Sequence, residues 1–258
     1  MIDGHVHLER GPYTIEWLER FVDAARQRGI NSLYLLEHSH RFIESRSIYS
    51  DINPDSYFGK WLETRLKVPL KEYINFIEIA RTLKYPIKIQ FGLEVCYFEQ
   101  HEEEIHKLTR CYPFDFITGS VHYIDGWAFD HKPEHWYGRD VDATYGRYYE
   151  IMGNLIKSRL FDILAHPDSI KCFGNYPSGD LTETYQKIAG LLVKSGVKAE
   201  QSAGLHLNYK HSRLGMNETM LQIFQNAGVE IITASDAHRP EDVGMYIKEI
   251  EQTLKNTF

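Results

Sequence analysis

Cysteine is scarce in this sequence, long apolar runs are missing, and positive charge is in deficit; each shortage removes a class of protein. Cys96, Cys111 and Cys172 are the only cysteines among 258 residues. Their odd number and the lack of C-x-x-C spacing exclude a disulfide scaffold and a cysteine zinc framework, so they read as reduced thiols. No stretch reaches the roughly 18 consecutive apolar residues of a membrane-spanning helix. The N-terminus passes from Met1 to Asp3 and His5 without a signal-peptide pattern, which predicts a cytoplasmic protein. Lys and Arg number 29 against 36 Asp and Glu, a formal net charge of -7. That balance argues against nucleic acid and membrane surfaces as partners, because their binders carry a basic face toward phosphates.

What is present is a globular composition, 43% hydrophobic and 25% charged, which excludes disordered and fibrous classes. Short apolar runs alternate with longer amphipathic stretches, the order of repeated βα units around a parallel sheet. Strands are predicted near 2–6, 32–36, 87–95, 114–120, 161–165, 197–200 and 230–234. Between the first two, Ile15, Leu18, Val22 and Ala25 recur at helical spacing and Gly29 follows as a stop, predicting a helix over 14–28. Helices over 181–195 and 217–226 end in the same way before Gly196 and Gly228. No linker, repeat or low-complexity segment divides the chain, so residues 1–258 read as one α/β domain, a barrel of βα units. Two connections, 39–70 and 123–149, are longer than such units need. The second is crowded with Trp127, Phe129, Trp136 and Tyr137, and long loops over a rigid scaffold often carry function.

The chemistry-bearing residues fall at the ends of these strands. Strand alternation points His5 and His7 to the same side of the chain, a spacing able to chelate one ion. A histidine pair alone is often satisfied by ordinary hydrogen bonds, but here it is not alone. His38, Glu94, His122, His166, Asp236 and His238 each stand at or just after a predicted strand. In a parallel barrel those C-terminal ends converge on one face, so residues distant in sequence become neighbours. Imidazoles and carboxylates together suit zinc, manganese or iron, and Glu94 is the candidate to bridge two ions.

An ordered set of motifs then carries a resemblance over nearly the whole chain: Asp3-Gly4-His5-Val6-His7, Glu37-His38, Gly92-Leu93-Glu94-Val95, Gly119-Ser120-Val121-His122-Tyr123 with Gly126-Trp127, Ala165-His166-Pro167-Asp168 and Ser235-Asp236-Ala237-His238. The chain resembles the polymerase-and-histidinol-phosphatase (PHP) family, and within it the histidinol-phosphatase branch. The resemblance implies a single-domain distorted (β/α)7 TIM-like barrel with two or three divalent ions at the C-terminal ends of the strands. It implies His5, His7, Glu94 and Asp236 for the first ion, Glu94, His122 and His166 for the second, and His38 with His238 for the third. It also implies hydrolysis of a small phosphate monoester, L-histidinol phosphate, with a phosphotyrosine protein or a nucleotide as rival substrates and a non-catalytic metal-binding module as the rival class.

Two departures from the branch stand out. A further histidine usually follows the paired ones, whereas this chain reads Leu8-Glu9-Arg10-Gly11-Pro12, so either Glu9 substitutes as an oxygen ligand and shifts the third site toward a harder ion, or that site is weak or empty. After the sixth strand an arginine common in the branch is replaced by His206, which bears on the choice of substrate. In such a site divalent ions bring the pKa of bound water to about 7 and neutralise the phosphate oxygens. Asp236 or His238 is then placed to pass a proton to the leaving alkoxide. Arg10, Lys171, Arg213 and Arg41 are candidate phosphate contacts, Trp127, Tyr209 and His211 are candidates for the organic half of the substrate, and His206 is a further candidate substrate contact. Oligomeric state has no signature in the sequence.

Overall fold

Each predicted strand forms, and the strands line up in chain order. In the computed structural model, which describes residues 1–256, β1 (Ile2–His7) leads through α1 (Ile15–Gln27) to β2 (Ser32–His38). The apolar positions of α1 decide its burial: Leu18, Phe21, Val22 and Ala25 pack inward. Thr14 caps its first turn by accepting from Trp17 N at 3.3 Å, and Gly29 ends it with a φ of 75°. The connection after β2 holds 3-10 turns and α2 (Tyr57–Arg65), and α3 (Leu70–Arg81) then runs to β3 (Lys88–Cys96). Next come α4 (Glu102–Arg110), β4 (Phe116–Ser120), a hairpin of β5 (Tyr123–Ile124) and β6 (Trp127–Ala128), and α5 (Val141–Ser158). The chain continues through β7 (Ile163–Leu164), α6 (Thr182–Ser195), β8 (Lys198–Ser202), α7 (Gly204–Tyr209), α8 (Glu218–Ala227), β9 (Ile231–Ala234) and α9 (Ile247–Asn256). None of the described helices is long and apolar enough to cross a membrane.

The seven long-range strands form one parallel sheet in the order β1-β2-β3-β4-β7-β8-β9. The ends of that sheet meet. His7 N donates to Ala237 O at 2.8 Å and Asp236 N to His5 O at 3.0 Å, with a parallel bridge between Val6 and Ala237. Asp3 secures the same seam by accepting from Ser235 N at 2.8 Å, Ser235 Oγ at 2.6 Å and Gly244 N at 2.8 Å. This seam nearly closes the sheet into a (β/α)7 barrel and brings the first and last motifs of the chain side by side.

Two local differences from the sequence pattern have physical causes. The strand expected over 161–165 is regular only at Ile163–Leu164, yet Asp162 N still donates to Ile117 O at 2.8 Å and Ala165 N to Gly119 O at 2.9 Å. Pairing persists while the backbone breaks away, and His166 turns with a φ of 25°. Inside the second long connection, Asp125 and Gly126 take φ values of 47° and 87°, the paired positive dihedrals of a tight hairpin turn, which makes β5 and β6. That Asp-Gly pair was the available signal for the hairpin. The two long connections pack on each other: Trp61 meets His131 with ring centroids 4.5 Å apart, and Phe58 meets His135 at 4.8 Å. Trp127, Phe129 and Trp136 are buried beneath them, while Tyr137 is 79% exposed.

Candidate metal centre and active site

Glu94, near the end of β3, occupies the middle of the barrel mouth. Its Oε2 lies 3.4 Å from His5 Nε2, 3.5 Å from His7 Nε2 and 3.2 Å from His38 Nε2. Its Oε1 lies 3.0 Å from His122 Nε2 and 3.3 Å from His166 Nε2. One buried carboxylate thus presents each oxygen to a different group of imidazoles. Asp236 Oδ1 stands 3.8 Å and 3.7 Å from the Nε2 atoms of His5 and His7. At the outer edge, Glu9 Oε2 lies 3.4 Å from His38 Nδ1 and its Oε1 3.4 Å from His238 Nε2. All of the metal-capable residues singled out in the sequence meet in this one cluster.

The backbone is arranged to allow the crowding. Asp236 adopts a left-handed φ of 57°, a conformation costly for a non-glycine residue and common at functional sites. A Cβ on Gly204 would sit 2.1 Å from Asp236 Oδ2, so the glycine at the start of α7 is what admits this carboxylate. The loop bearing Glu9 is tied at three points: Leu8 N donates to Glu37 Oε1 at 3.0 Å, Trp17 Nε1 to Leu8 O at 2.9 Å and Arg41 Nη1 to Glu9 O at 2.8 Å. Burial pushes the Glu37 carboxyl up to about 8 although Arg41 opposes the shift. Glu37 therefore serves the loop, while its neighbour His38 faces the cluster.

The donor set fits divalent cations. His5 Nε2 and His7 Nε2 are 2.9 Å apart, and Glu94 Oε2 has no hydrogen-bond partner although it is buried. A buried oxygen so placed is costly unless a cation takes up its lone pairs. Ligand atoms of His5, His7 and Glu94, of Glu94, His122 and His166, and of His7, His38 and His238 each come within 4.8 Å of one another. Burial opposes charge on Glu94, yet His38 and His5 outweigh it and hold the carboxyl well below its usual range. Burial, and then His38, His238 and His5, push His7 well below the usual imidazole range, which favours the neutral ligand form.

Two carboxylates that sequence reasoning passed over complete the arrangement. Glu200, on β8, lies with Oε1 2.8 Å from His5 Nδ1 and accepts from His166 N at 3.1 Å. Asp130 Oδ2 lies 2.7 Å from His122 Nδ1. A carboxylate on the far ring nitrogen holds the other nitrogen lone pair toward the cluster and makes the imidazole a stronger ligand. Glu200 had a signal, a charge within an otherwise buried strand. Asp130 had none, because its neighbours in the aromatic connection read as packing.

Above the cluster lies a cavity of about 390 Å³, walled by Arg10, Trp61, Arg65, His131, Tyr209 and Arg239. Arg10 and Tyr209 stand on this wall as their loops suggested. Six expected substrate contacts do not. Trp127 packs edge-on to Trp136, with the Arg139 guanidinium 3.6 Å over its ring. Lys171 is 2% exposed, and its Nζ donates to Asp168 and, at 2.8 Å, to Gly215 O. His206 Nδ1 bonds His211 O at 2.8 Å, and its ring meets Tyr246. Arg213 faces Glu218 Oε1 at 3.7 Å. Of the remaining candidates, Arg41 pairs with the Glu9 loop and Glu37, and His211 bonds Tyr176. Position in a strand-end loop placed these residues at the correct end of the barrel but not on the side of the loop that faces the cavity.

Comparison with known proteins decides the family. The model of the PHP domain matches residues 3–201. The chain belongs to the PHP family. A protein of Deinococcus radiodurans named "Probable histidinol-phosphatase" is 25% identical over 266 residues, spanning 99% of this PHP chain and 93% of the relative. One of the same name from Schizosaccharomyces pombe is 23% identical over 245 residues, spanning 88% and 77%. A histidinol phosphate phosphatase of Lactococcus lactis, solved with zinc, L-histidinol and phosphate, superposes with a TM-score of 0.74 over 99% of this chain and 93% of its own, at 19% identity. That likeness shows the shared fold of the PHP barrel.

Proposed function

We propose that this PHP protein is a metal-dependent histidinol-phosphatase, splitting L-histidinol phosphate into L-histidinol and phosphate. The observation that carries the proposal is Glu94, whose two oxygens each face a separate set of imidazoles beneath a cavity open to a small molecule. The names of the full-length relatives and the histidinol and phosphate described in the Lactococcus structure support the substrate. His5, His7, Glu94 and Asp236 would hold one divalent ion, Glu94, His122 and His166 a second, and His38, His238 and Glu9 a third. Bound there, such ions lower the pKa of water to about 7 and neutralise phosphate oxygens, which is the chemistry phosphoester hydrolysis needs.

The chain's own residues supply the rest. Arg10, on the cavity wall, offers a planar donor pair matched to phosphate oxygens. As water displaces the alcohol at phosphorus, the P–O bond to histidinol breaks and the departing oxygen needs a proton. Asp236 and His238 are both on the cavity, with Asp236 Oδ1 3.9 Å from His238 Nδ1, and either would relay to that oxygen the proton given up by the attacking water.

The test combines metal analysis with phosphate release from L-histidinol phosphate, a phosphotyrosine peptide and nucleotides. Divalent metal bound at more than one equivalent and selective release from L-histidinol phosphate are expected. His122→Ala should abolish release while the circular dichroism spectrum is preserved, because it removes a ligand and little core volume. Bound metal with no phosphate released from any of the panel would overturn the enzymatic reading.

A further inference from the structure

We propose that His40 completes the outer cation site, joining Glu9 and His38. His40 lies two residues beyond His38 and takes no part in the set of ligands assigned above. One ligand atom from each of Glu9, His38 and His40 lies within 4.8 Å of the others, and the His38 and His40 rings are 4.6 Å apart. All three residues line the cavity.

The state of His38 directs this assignment. Its Nε2 faces Glu94 Oε2 at 3.2 Å. Its Nδ1 is buried with no hydrogen-bond partner, 3.4 Å from Glu9 Oε2. A buried ring nitrogen that makes no hydrogen bond and faces a carboxylate oxygen is placed to take an ion on the outer side. With His238, whose Nε2 lies 3.4 Å from Glu9 Oε1, the residues His38, His40 and Glu9 make three imidazoles and a carboxylate, a four-donor set that suits tetrahedral zinc. The competing role for His40 is packing, since its ring also meets Trp61 at 4.9 Å.

The inference rests on the metal-centre reading, and its test counts metal instead of turnover. Protein loaded with zinc and freed of excess is measured by mass spectrometry as wild type, His40→Ala, His40→Phe and Glu9→Gln. Wild type should hold about three equivalents and each variant about two. The same loss should appear as a missing late component when cobalt is titrated and followed by its visible absorption. His40→Phe keeps a ring against Trp61 and His38 but offers no nitrogen, so it separates ligation from packing. Retention of the inner pair of equivalents in the variants shows that the barrel is folded. A His40→Phe protein that keeps the third equivalent overturns the proposal, and so does a wild type that binds only two. A wild type that binds none overturns the metal centre itself.

Discussion

The Asp168–Lys171 pair and the Glu94 cluster are both buried and charged, and each lies at or just past the end of a barrel strand, but their hydrogen bonding differs. Lys171 Nζ donates to Asp168 Oδ2 and to Gly215 O, and Asn217 donates to the same carboxylate oxygen through N at 2.8 Å and Nδ2 at 3.0 Å. Its charges are consumed in tying the loop after β7 to the start of α8. Glu94 instead has a buried oxygen with no hydrogen bond, ringed by imidazole nitrogens. A satisfied buried ion pair holds the fold, whereas an unsatisfied one with converging lone pairs is prepared for a cation. Charge, burial and position at a strand end do not tell the two apart. The imidazole nitrogens that converge on the open carboxylate oxygen do.

The contrast can be broken from either side. The largest effect is expected for Glu94→Gln, which should lower phosphate release by at least about 10³-fold, because several kcal/mol of charge stabilisation leave with the ions. Urea unfolding of the metal-free variant should show stability equal to or above that of metal-free wild type. Release within tenfold of wild type would remove Glu94 from the centre of the mechanism. Lys171→Met should show the opposite pattern. Loss of one partner of a buried pair costs about 3–5 kcal/mol, read as a shifted urea midpoint, while zinc content stays at the wild-type value. A stable Lys171→Met protein with altered zinc content would contradict the structural role given to the pair.

Glu200→Gln lies between these extremes, since it keeps the shape but weakens the partner of His5 Nδ1. Metal affinity should fall about 10–100-fold, measured by competition with a chromophoric chelator, with little change in unfolding. Unchanged affinity would mean that His5 is oriented by packing alone. Thr14→Ala sets the background for the comparison: the lost cap on α1 should cost about 1 kcal/mol and leave both metal content and phosphate release unaltered. A change in either would show that the helix under the Glu9 loop is coupled to the site.

Much of this was legible before any coordinates. The period of two in the strands, the period near 3.6 in α1 and the glycine stops placed the βα units, because backbone alternation and side-chain burial act over a few residues. His5, His7, Glu94, His122, His166, Asp236 and His238 were legible for the same reason, each standing at a strand end. Lys171, His206, Arg213, Trp127, Arg41 and His211 lie off the cavity wall, because a loop residue reveals its position along the chain but not the direction of its side chain. Asp130, Glu200 and His40 act through neighbours that are remote in sequence or hidden by an adjacent ligand, so residue type and spacing did not single them out.

Local pattern along the chain was enough for the alternation of strands and helices, the type of chemistry and the end of the barrel where the donors gather, since these follow from periodicity and from residues placed at strand ends. Three-dimensional packing added that β1 and the segment after β9 join, that Glu94 faces two groups of imidazoles at once, and that Lys171 pairs with Asp168 off the cavity wall. Those outcomes depend on closure of the sheet and on which polar atoms find partners across it, and both are settled by contacts between residues far apart in the chain.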